Sequence, residues 1–370
     1  MTELATAAIP TASPLAALLL SGDRRPEIAV FRGVLTPTEF DVRAVEIAAL
    51  TAKSAVHDLG WLRRVEVRGE DRFRWLSGMV TNMVNDLPTA GGAWNLVLNA
   101  QGRIQGDLIV WRENDALELE IAADQYERLL AHFDHFIIMD DVELVGVDPN
   151  VETAIGLTGP QAGELLHKLG LPILAEPLTS VRTVWNGVGL LIRRDYGALA
   201  DHYALWVPVN AAESLWRALS EAGATPAGSA ALETLRVVEG IPAYGIDMVE
   251  RDLPQETSQM RALSFNKGCY LGQEIVERIR SRGNVHRHLR SVELNGPIPP
   301  SDTELTLDGK PAGQITSVAA FPSEGGVRLF ALGMIRSEAE IGDRPLNYAA
   351  QQAEGTARIL SAPPTFDLKG

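Results

Sequence analysis

Lys267-Gly268-Cys269-Tyr270-Leu271-Gly272-Gln273-Glu274 gathers more potential chemistry than any other stretch of this 370-residue chain. It holds the single cysteine. Lys267 stands two residues before it, on the same side in extended backbone. Gly268 and Gly272 let a backbone or ligand approach closely. From Gly272 to Arg280 the pattern is helical, with Ile275, Val276 and Ile279 on one face and Glu274 four residues before Arg278. A thiol is mostly protonated at neutral pH, and a cation or a helix N-terminus favours the thiolate. Cys269 is therefore a candidate reactive group with Lys267 as its cation. The competing reading is a small apolar side chain packed beside a helix start.

Arg278, Arg280, Arg282, Arg287 and Arg290, with His286 and His288, follow with no acid among them. The run reads as an anion site for a polyanionic small molecule or a short stretch of RNA, or else as a solvated charged face. Its sign opposes that of the chain, whose net charge of -15 argues against general affinity for nucleic acid. One cysteine excludes an intramolecular disulfide, and no Cys/His cluster has zinc spacing, so no permanently bound metal is expected. The apolar run Leu15 to Leu20 is too short to span a membrane, and no basic residue precedes Arg24. The expectation is a cytoplasmic protein without membrane contact. Its first dozen residues would be loosely ordered, and the apolar run would be the buried face of a first helix.

Upstream of the octapeptide a pattern recurs. Arg64 to Arg68 alternates as a strand, and Phe73, Leu76 and Val80 recur at helical spacing. Trp94 to Asn99 and Arg103 to Trp111 form a hairpin about Ala100-Gln101-Gly102, and Leu117 to Ile121 is a further strand. Asp124 and Glu127 suggest a capping box opening a helix that buries Tyr126, Leu129, Leu130 and Phe133. About 90 residues on the order repeats. Glu152 to Leu157 is a strand. Gly159-Pro160 opens a helix with proline at its first position. Val181 to Trp185 and Gly189 to Arg193 pair, and Tyr203 to Val207 is a strand. Asn210 and Glu213 cap the next helix, which Gly223 ends. Ser229 to Glu239 is another helix. After the stiff connector Asn295-Gly296-Pro297-Ile298-Pro299-Pro300, short alternating strands replace helical periodicity. The fold class is α+β: two related α/β units with antiparallel sheets, over 1–150 and 151–292 and able to interleave, then a small β-barrel over 293–370.

The octapeptide resembles the signature of the YgfZ proteins, folate-binding relatives of the glycine-cleavage T protein linked to iron–sulfur enzymes and tRNA modification. Gly240-Ile241-Pro242-Ala243-Tyr244-Gly245-Ile246-Asp247 and Leu253-Pro254-Gln255-Glu256 resemble the run both branches carry before that signature. Val67 to Asp71, Leu76 to Asn82 and Gly313 to Ser317 are similar to other superfamily segments. The resemblance implies two α/β domains and a barrel around a central opening where tetrahydrofolate or a derivative binds. It implies folate contacts from Asn99, Asp107, Asp201, Tyr244, Arg278 and Arg287. Chemistry would come from Cys269 with Lys267, supported by Gly268, Tyr270, Gly272, Gln273 and Glu274. Cys269 would contact a metal or cluster only transiently. Partners would be iron–sulfur client enzymes or assembly factors, with tRNA touched through 278–290.

Two departures separate the branches. T proteins carry paired Asp residues after Gly-Gly-Ile in the central hairpin, where this chain has Gly106 and then Asp107. They also set a Glu against the pterin in a Thr-Gly-Glu-Asp-Gly run, where Ala200 falls here. A buried pterin without its carboxylate loses about 1–3 kcal/mol, so weak folate binding, or use of Asp107 or Asp201, is expected. The first expectation is thus a folate-binding protein supporting iron–sulfur clusters, and the alternative a folate-dependent aminomethyltransferase.

Overall fold

The computed structural model describes residues 10–20, 26–114, 116–283, 285–323, 325–342 and 344–364. Most of the first dozen residues, expected to be loosely ordered, lie outside that set. Helix α1 (Pro14–Leu19) is opened by Ser13, whose hydroxyl accepts from Ala16 N at 2.9 Å. Its Leu15 is fully buried, as the apolar run requires. A hairpin of β1 (Glu27–Phe31) and β2 (Val34–Glu39) and helix α2 (Arg43–Ala52) follow.

The next elements are β3 (Ala55–Asp58), β4 (Leu62–Arg68), α3 (Arg72–Met79), β5 (Gly91–Leu98), β6 (Ile104–Glu113), β7 (Ala116–Ala122), α4 (Ala123–His135) and β8 (Glu143–Gly146). The order then repeats as β9 (Glu152–Thr158), α5 (Ala162–Lys168), β10 (Thr179–Trp185), β11 (Val188–Asp195), β12 (His202–Pro208), α6 (Val209–Ala222), β13 (Thr225–Pro226) and α7 (Ser229–Glu239). An irregular segment leads to α8 (Gln273–Arg282). The barrel closes from β14 (Arg287–Asn295), β15 (Glu304–Leu307), β16 (Lys310–Ser323), β17 (Gly326–Arg336), β18 (Leu346–Ala350) and β19 (Ala353–Ile359). This is the α+β architecture the sequence implies.

The α/β strands form one sheet of eleven, in the order β13-β3-β9-β12-β11-β10-β5-β6-β7-β4-β8. Strand pairing joins its two halves where β10 touches β5, at Thr179 opposite Gly91. They interleave, because β3 pairs with β9 and carries early chain into the second half. Each half keeps its own apolar core. One gathers Leu165, Leu205 and Leu215, the other Leu76, Leu119 and Phe133. Burying each such side chain is worth about 1.5–3 kcal/mol.

Charge fills the centre between the halves. Arg193 on β11 donates to Glu120 at 2.9 Å and to Glu118 on β7, and stacks over Trp111 at 4.7 Å. Arg64 on β4 meets the same Glu118 and also Glu152. Burial opposes ionisation of Glu118, but Arg193, Arg64 and Arg182 outweigh it and hold the carboxyl below its ordinary range. The barrel docks through Asp247, which accepts from Thr316 Oγ1 at 2.6 Å, Ser317 Oγ at 2.7 Å and Arg236 Nη1 at 2.6 Å. Leu235 and Val238 of α7 pack with Phe321 and Phe330 of the barrel behind it.

Three local expectations are corrected. Neither Asp124 nor Asn210 caps a helix: α4 and α6 begin one residue earlier, with Ala122 and Pro208 at the cap and no side-chain bond there. In both places a strand runs straight into its helix, leaving no loop residue to turn back. Asp124 instead lies 3.8 Å from Arg32. Pro160 does not start α5, because Gly159 at φ +137° makes a turn against Lys53 and the helix begins at Ala162. Among the described residues no helix is long and apolar enough to cross a membrane.

Candidate functional site

A cavity of about 430 Å³ opens where the two half-sheets, the β1–β2 hairpin and the end of α7 converge. Phe31, Leu59, Trp61, Trp94 and Tyr244 supply much of its apolar wall. On one side Asp107 of β6 faces in. Its carboxylate accepts from Trp94 Nε1 at 2.9 Å and from Gln125 Nε2 at 3.0 Å. Gln125 Oε1 in turn accepts Asp107 N at 3.0 Å, so α4 clamps this strand from behind. The preceding Gly106 faces away from the cavity. A methyl there would meet Gln125 Oε1 at 2.7 Å and Leu129 at 2.9 Å, so a second carboxylate would have to displace both side chains.

The opposite wall is polar because of register. Asp195 pairs with His202, His202 with Thr158, and Thr158 with Ala55, placing their side chains in one row across four strands. His57, two residues along β3 from Ala55, shares that face. Its ring lies over Gly156, its register partner, where any side chain would overlap it. The row is hydrogen-bonded: His57 Nε2 to Thr158 Oγ1 at 2.9 Å, Thr158 Oγ1 to His202 Nδ1 at 3.3 Å, and His202 Nε2 to Glu239 Oε2 at 3.0 Å. Glu239 Oε1 also accepts the backbone N–H groups of Leu199 and Ala200, at 2.9 and 3.2 Å.

The electrostatics follow from burial. His57 is lowered to about 3, first by desolvation and then by neighbouring His202, so it stays neutral. Burial disfavours charge on His202, but Glu239, with Asp195 and Asp201, raises it above the ordinary imidazole value. Asp195 is raised by burial and by Glu120. Asp195 Oδ1 and His57 Nδ1 are buried with no hydrogen-bond partner among the described residues. Arg261 closes another side, with its guanidinium 3.8 Å from the Tyr196 ring centre and 4.8 Å from that of Trp94.

Of the residues singled out from sequence, Asp107 and Tyr244 line this cavity. Tyr244 OH accepts from Arg128 Nη1 at 2.7 Å. The others lie elsewhere. Asn99 Oδ1 accepts the N–H groups of Gln101 and Arg103 and shapes the hairpin turn. Asp201 pairs with Arg194. Arg278 pairs with Glu274 on exposed helix surface. Arg287 donates to Asp252 and Glu256, and Arg290 to Glu340. The basic run is thus partly neutralised by acids distant in sequence. The Arg282 side chain lies outside the described residues.

The octapeptide is a docking segment. Lys267 Nζ donates to Val80 O at 2.6 Å and Asn82 O at 2.7 Å, and burial lowers its pKa to about 7. That directs its ammonium at the 80–82 loop instead of leaving it free beside the thiol. Tyr270 is buried, Leu271 N donates to Gly78 O at 2.9 Å, and Gly272 at φ +80° precedes Gln273 and Glu274 in the first turn of α8. Gly268 is open and Cys269 is exposed, and neither lines the cavity. Among the described residues no group of three His, Cys, Asp or Glu side chains is placed to hold a metal.

Comparison with known proteins bears on the whole architecture. The family model described as GCVT N-terminal domain matches residues 25–267. An aminomethyltransferase of Rubrobacter xylanophilus is 29% identical over 343 residues, covering 90% of this chain and 89% of the relative. A putative chloroplastic transferase of Arabidopsis thaliana is 27% identical over 292 residues, covering 77% of this chain. The match spans 66% of that relative's own length. The crystal structure of the glycine cleavage system aminomethyltransferase T from Bartonella henselae superposes with a TM-score of 0.85 at 19% identity, covering 95% of this chain and 97% of that one.

Proposed function

The chain belongs to the family of the GCVT N-terminal domain, and on that premise we propose that it is a folate-dependent group transferase of the aminomethyltransferase kind, with the central cavity as its folate site. The observation that carries this reading is Asp107, a carboxylate fixed by two donors in the wall of a largely apolar cavity. The relatives named as transferases support it, so the reading the sequence placed second moves first.

The residues present suit a reduced folate. A cavity of about 430 Å³ is within the range of small-molecule sites. Trp94 and Tyr244 offer aromatic surface to a flat ring, and the unpartnered Asp195 Oδ1 and His57 Nδ1 await a polar edge. Glu239 answers the absence of a carboxylate at position 200, since its side chain is bonded to the backbone of Leu199 and Ala200 from the end of α7. When bound, tetrahydrofolate supplies the nitrogen that carries the one-carbon unit. Asp107 orients that region and holds or accepts a proton there, while the aromatic wall and Arg261 exclude water.

Asp107→Asn keeps the volume and removes the base. Calorimetry with tetrahydrofolate is expected to show binding within about tenfold of wild type, with transfer slowed about 10²–10⁴-fold. Wild type that does not bind tetrahydrofolate, or an Asp107→Asn variant with full activity, overturns the reading.

The exposed Cys269 favours a second reading, the iron–sulfur maintenance role the octapeptide's resemblance to YgfZ implies. One cysteine cannot ligate a cluster alone, so a partner would supply the other ligands. Its test is tRNA methylthiolation in cells lacking the protein. Full rescue by Cys269→Ala removes the thiolate role.

A further inference from the structure

The row across the cavity wall has a property beyond packing. Three hydrogen bonds link His57, Thr158, His202 and Glu239 in series, and each joint has one proton to place. We propose that the row is a proton relay ending at Nδ1 of His57, and that the proton on His202 decides whether this end of the cavity offers a ligand a donor or an acceptor. The ligand class it reads is a heterocycle whose inner edge carries a proton-accepting ring nitrogen or carbonyl. The folate reading supplies only that ligand's identity; the relay belongs to the protein alone.

The proton count fixes both states. With His202 charged, its Nε2–H donates to Glu239 and its Nδ1–H to Thr158 Oγ1. The threonine hydroxyl then donates to His57 Nε2, and the neutral His57 carries its proton on Nδ1 as a donor without a partner among the described residues. With His202 neutral and still held by Glu239, its Nδ1 accepts from the threonine hydroxyl. Oγ1 then accepts from His57 Nε2–H, and His57 Nδ1 is bare. Passing between the states moves three protons one step each. The His57 Nδ1–H bond breaks as the ligand's acceptor gains the proton. The Thr158 proton passes to His57 Nε2, and the His202 Nδ1 proton passes to Thr158 Oγ1. Only N–H and O–H bonds change, and no oxidant or reductant is needed.

Three facts support the relay. His57 Nδ1 is buried and unpartnered among the described residues, although His57 lines the cavity. His57 stays neutral while His202 titrates, because burial and the neighbouring charge depress it. The groups facing His202 come from separate elements: Glu239 from α7, Asp195 from β11, Asp201 beside it, and Thr158 and His57 from β9 and β3. The three carboxylates favour the charged state.

The test is nitrogen-15 NMR of the histidine rings in the full ligand-free chain across the His202 titration. The expected result is a switch of His57 from the Nδ1–H to the Nε2–H tautomer at the pH where His202 loses its proton. Thr158→Val should leave His202 titrating but abolish the switch, and Thr158→Ser should restore it. A single His57 tautomer throughout in wild type, or a switch that survives in Thr158→Val, overturns the relay. Calorimetry with tetrahydrofolate in buffers of different ionisation heat supplies the ligand arm. Wild type should show proton exchange on binding, and Thr158→Val should bind about tenfold more weakly without it. Unchanged proton exchange in Thr158→Val counts against the relay. No binding by wild type overturns the folate reading, and the tautomer measurement still decides the relay.

Discussion

The backbone of Gly272 lies directly on that of Gly102: a methyl built on Gly272 would stand 3.0 Å from the Gly102 Cα and 2.6 Å from Asn99 O. The contact is reciprocal, since a methyl on Gly102 would meet Ile275 Cβ at 2.8 Å. Both residues also have positive φ, +80° and +69°. The octapeptide therefore presses the start of α8 onto the β5–β6 hairpin that carries Asp107. Gly272→Ala is expected to cost about 1–3 kcal/mol in urea unfolding. Gly268→Ala, which meets nothing within 4 Å, should stay within about 0.5 kcal/mol. Equal effects at the two positions would contradict the packing role.

The contrast between those glycines shows what the chain discloses before folding. Period alone places α7 over Ser229–Glu239 and Gly240 after it, because an apolar stripe and a left-handed cap are local facts. The strand patterns place the barrel for the same reason. The polar wall of the cavity is not legible in the sequence. Asp195, His202, Thr158 and His57 meet only through the registers of β11, β12, β9 and β3, and a register slip of one residue would turn them outward. The available signal was a histidine in the apolar run Ala55-Val56-His57 and an acid, Glu239, on the last helical residue before Gly240. The pairing of the basic run is equally out of sight in the sequence, because the acids that meet Arg287 and Arg290 lie 31 to 50 residues away.

Arg193 is fully buried and serves two glutamates on β7 from β11. Removing it takes the cation from Glu120 and leaves Glu118 to Arg64 and Arg182 between the half-sheets. Arg193→Met should cost about 3–5 kcal/mol, read as a lower urea midpoint. A cost below about 1 kcal/mol would mean that Arg64 and Arg182 suffice for Glu118.

Lys267 gives a pH signature. Its folded pKa is about 7, against an ordinary 10.5. Between those values the unfolded chain binds more protons, so this residue makes stability rise with pH from about 7 to 10.5; below about 7 both states are charged and its contribution is flat. Lys267→Met should abolish that rise. It also leaves the carbonyls of Val80 and Asn82 without this donor, so the variant should be less stable than wild type by a margin that widens from pH 7 to 10. A constant margin would show that the ammonium is better solvated than its position implies.

Glu239 and position 200 give the sharpest test of how this chain holds a carboxylate in its cavity. The Glu239 side chain is bonded to Ala200 N, and Ala200 is 7% exposed. Restoring a glutamate there by Ala200→Glu crowds the site and sets like charges together. The expected cost is about 1–3 kcal/mol, with weaker tetrahydrofolate binding. Glu239→Ala alone leaves His202 and two backbone N–H groups without their acceptor, and should lower the imidazole pKa and loosen the loop. Together the substitutions move the carboxylate from α7 to the loop, so their effects should be non-additive by more than about 0.5 kcal/mol, the double variant regaining stability and ligand affinity. Additive losses would show that Glu239 serves the fold and not the cavity.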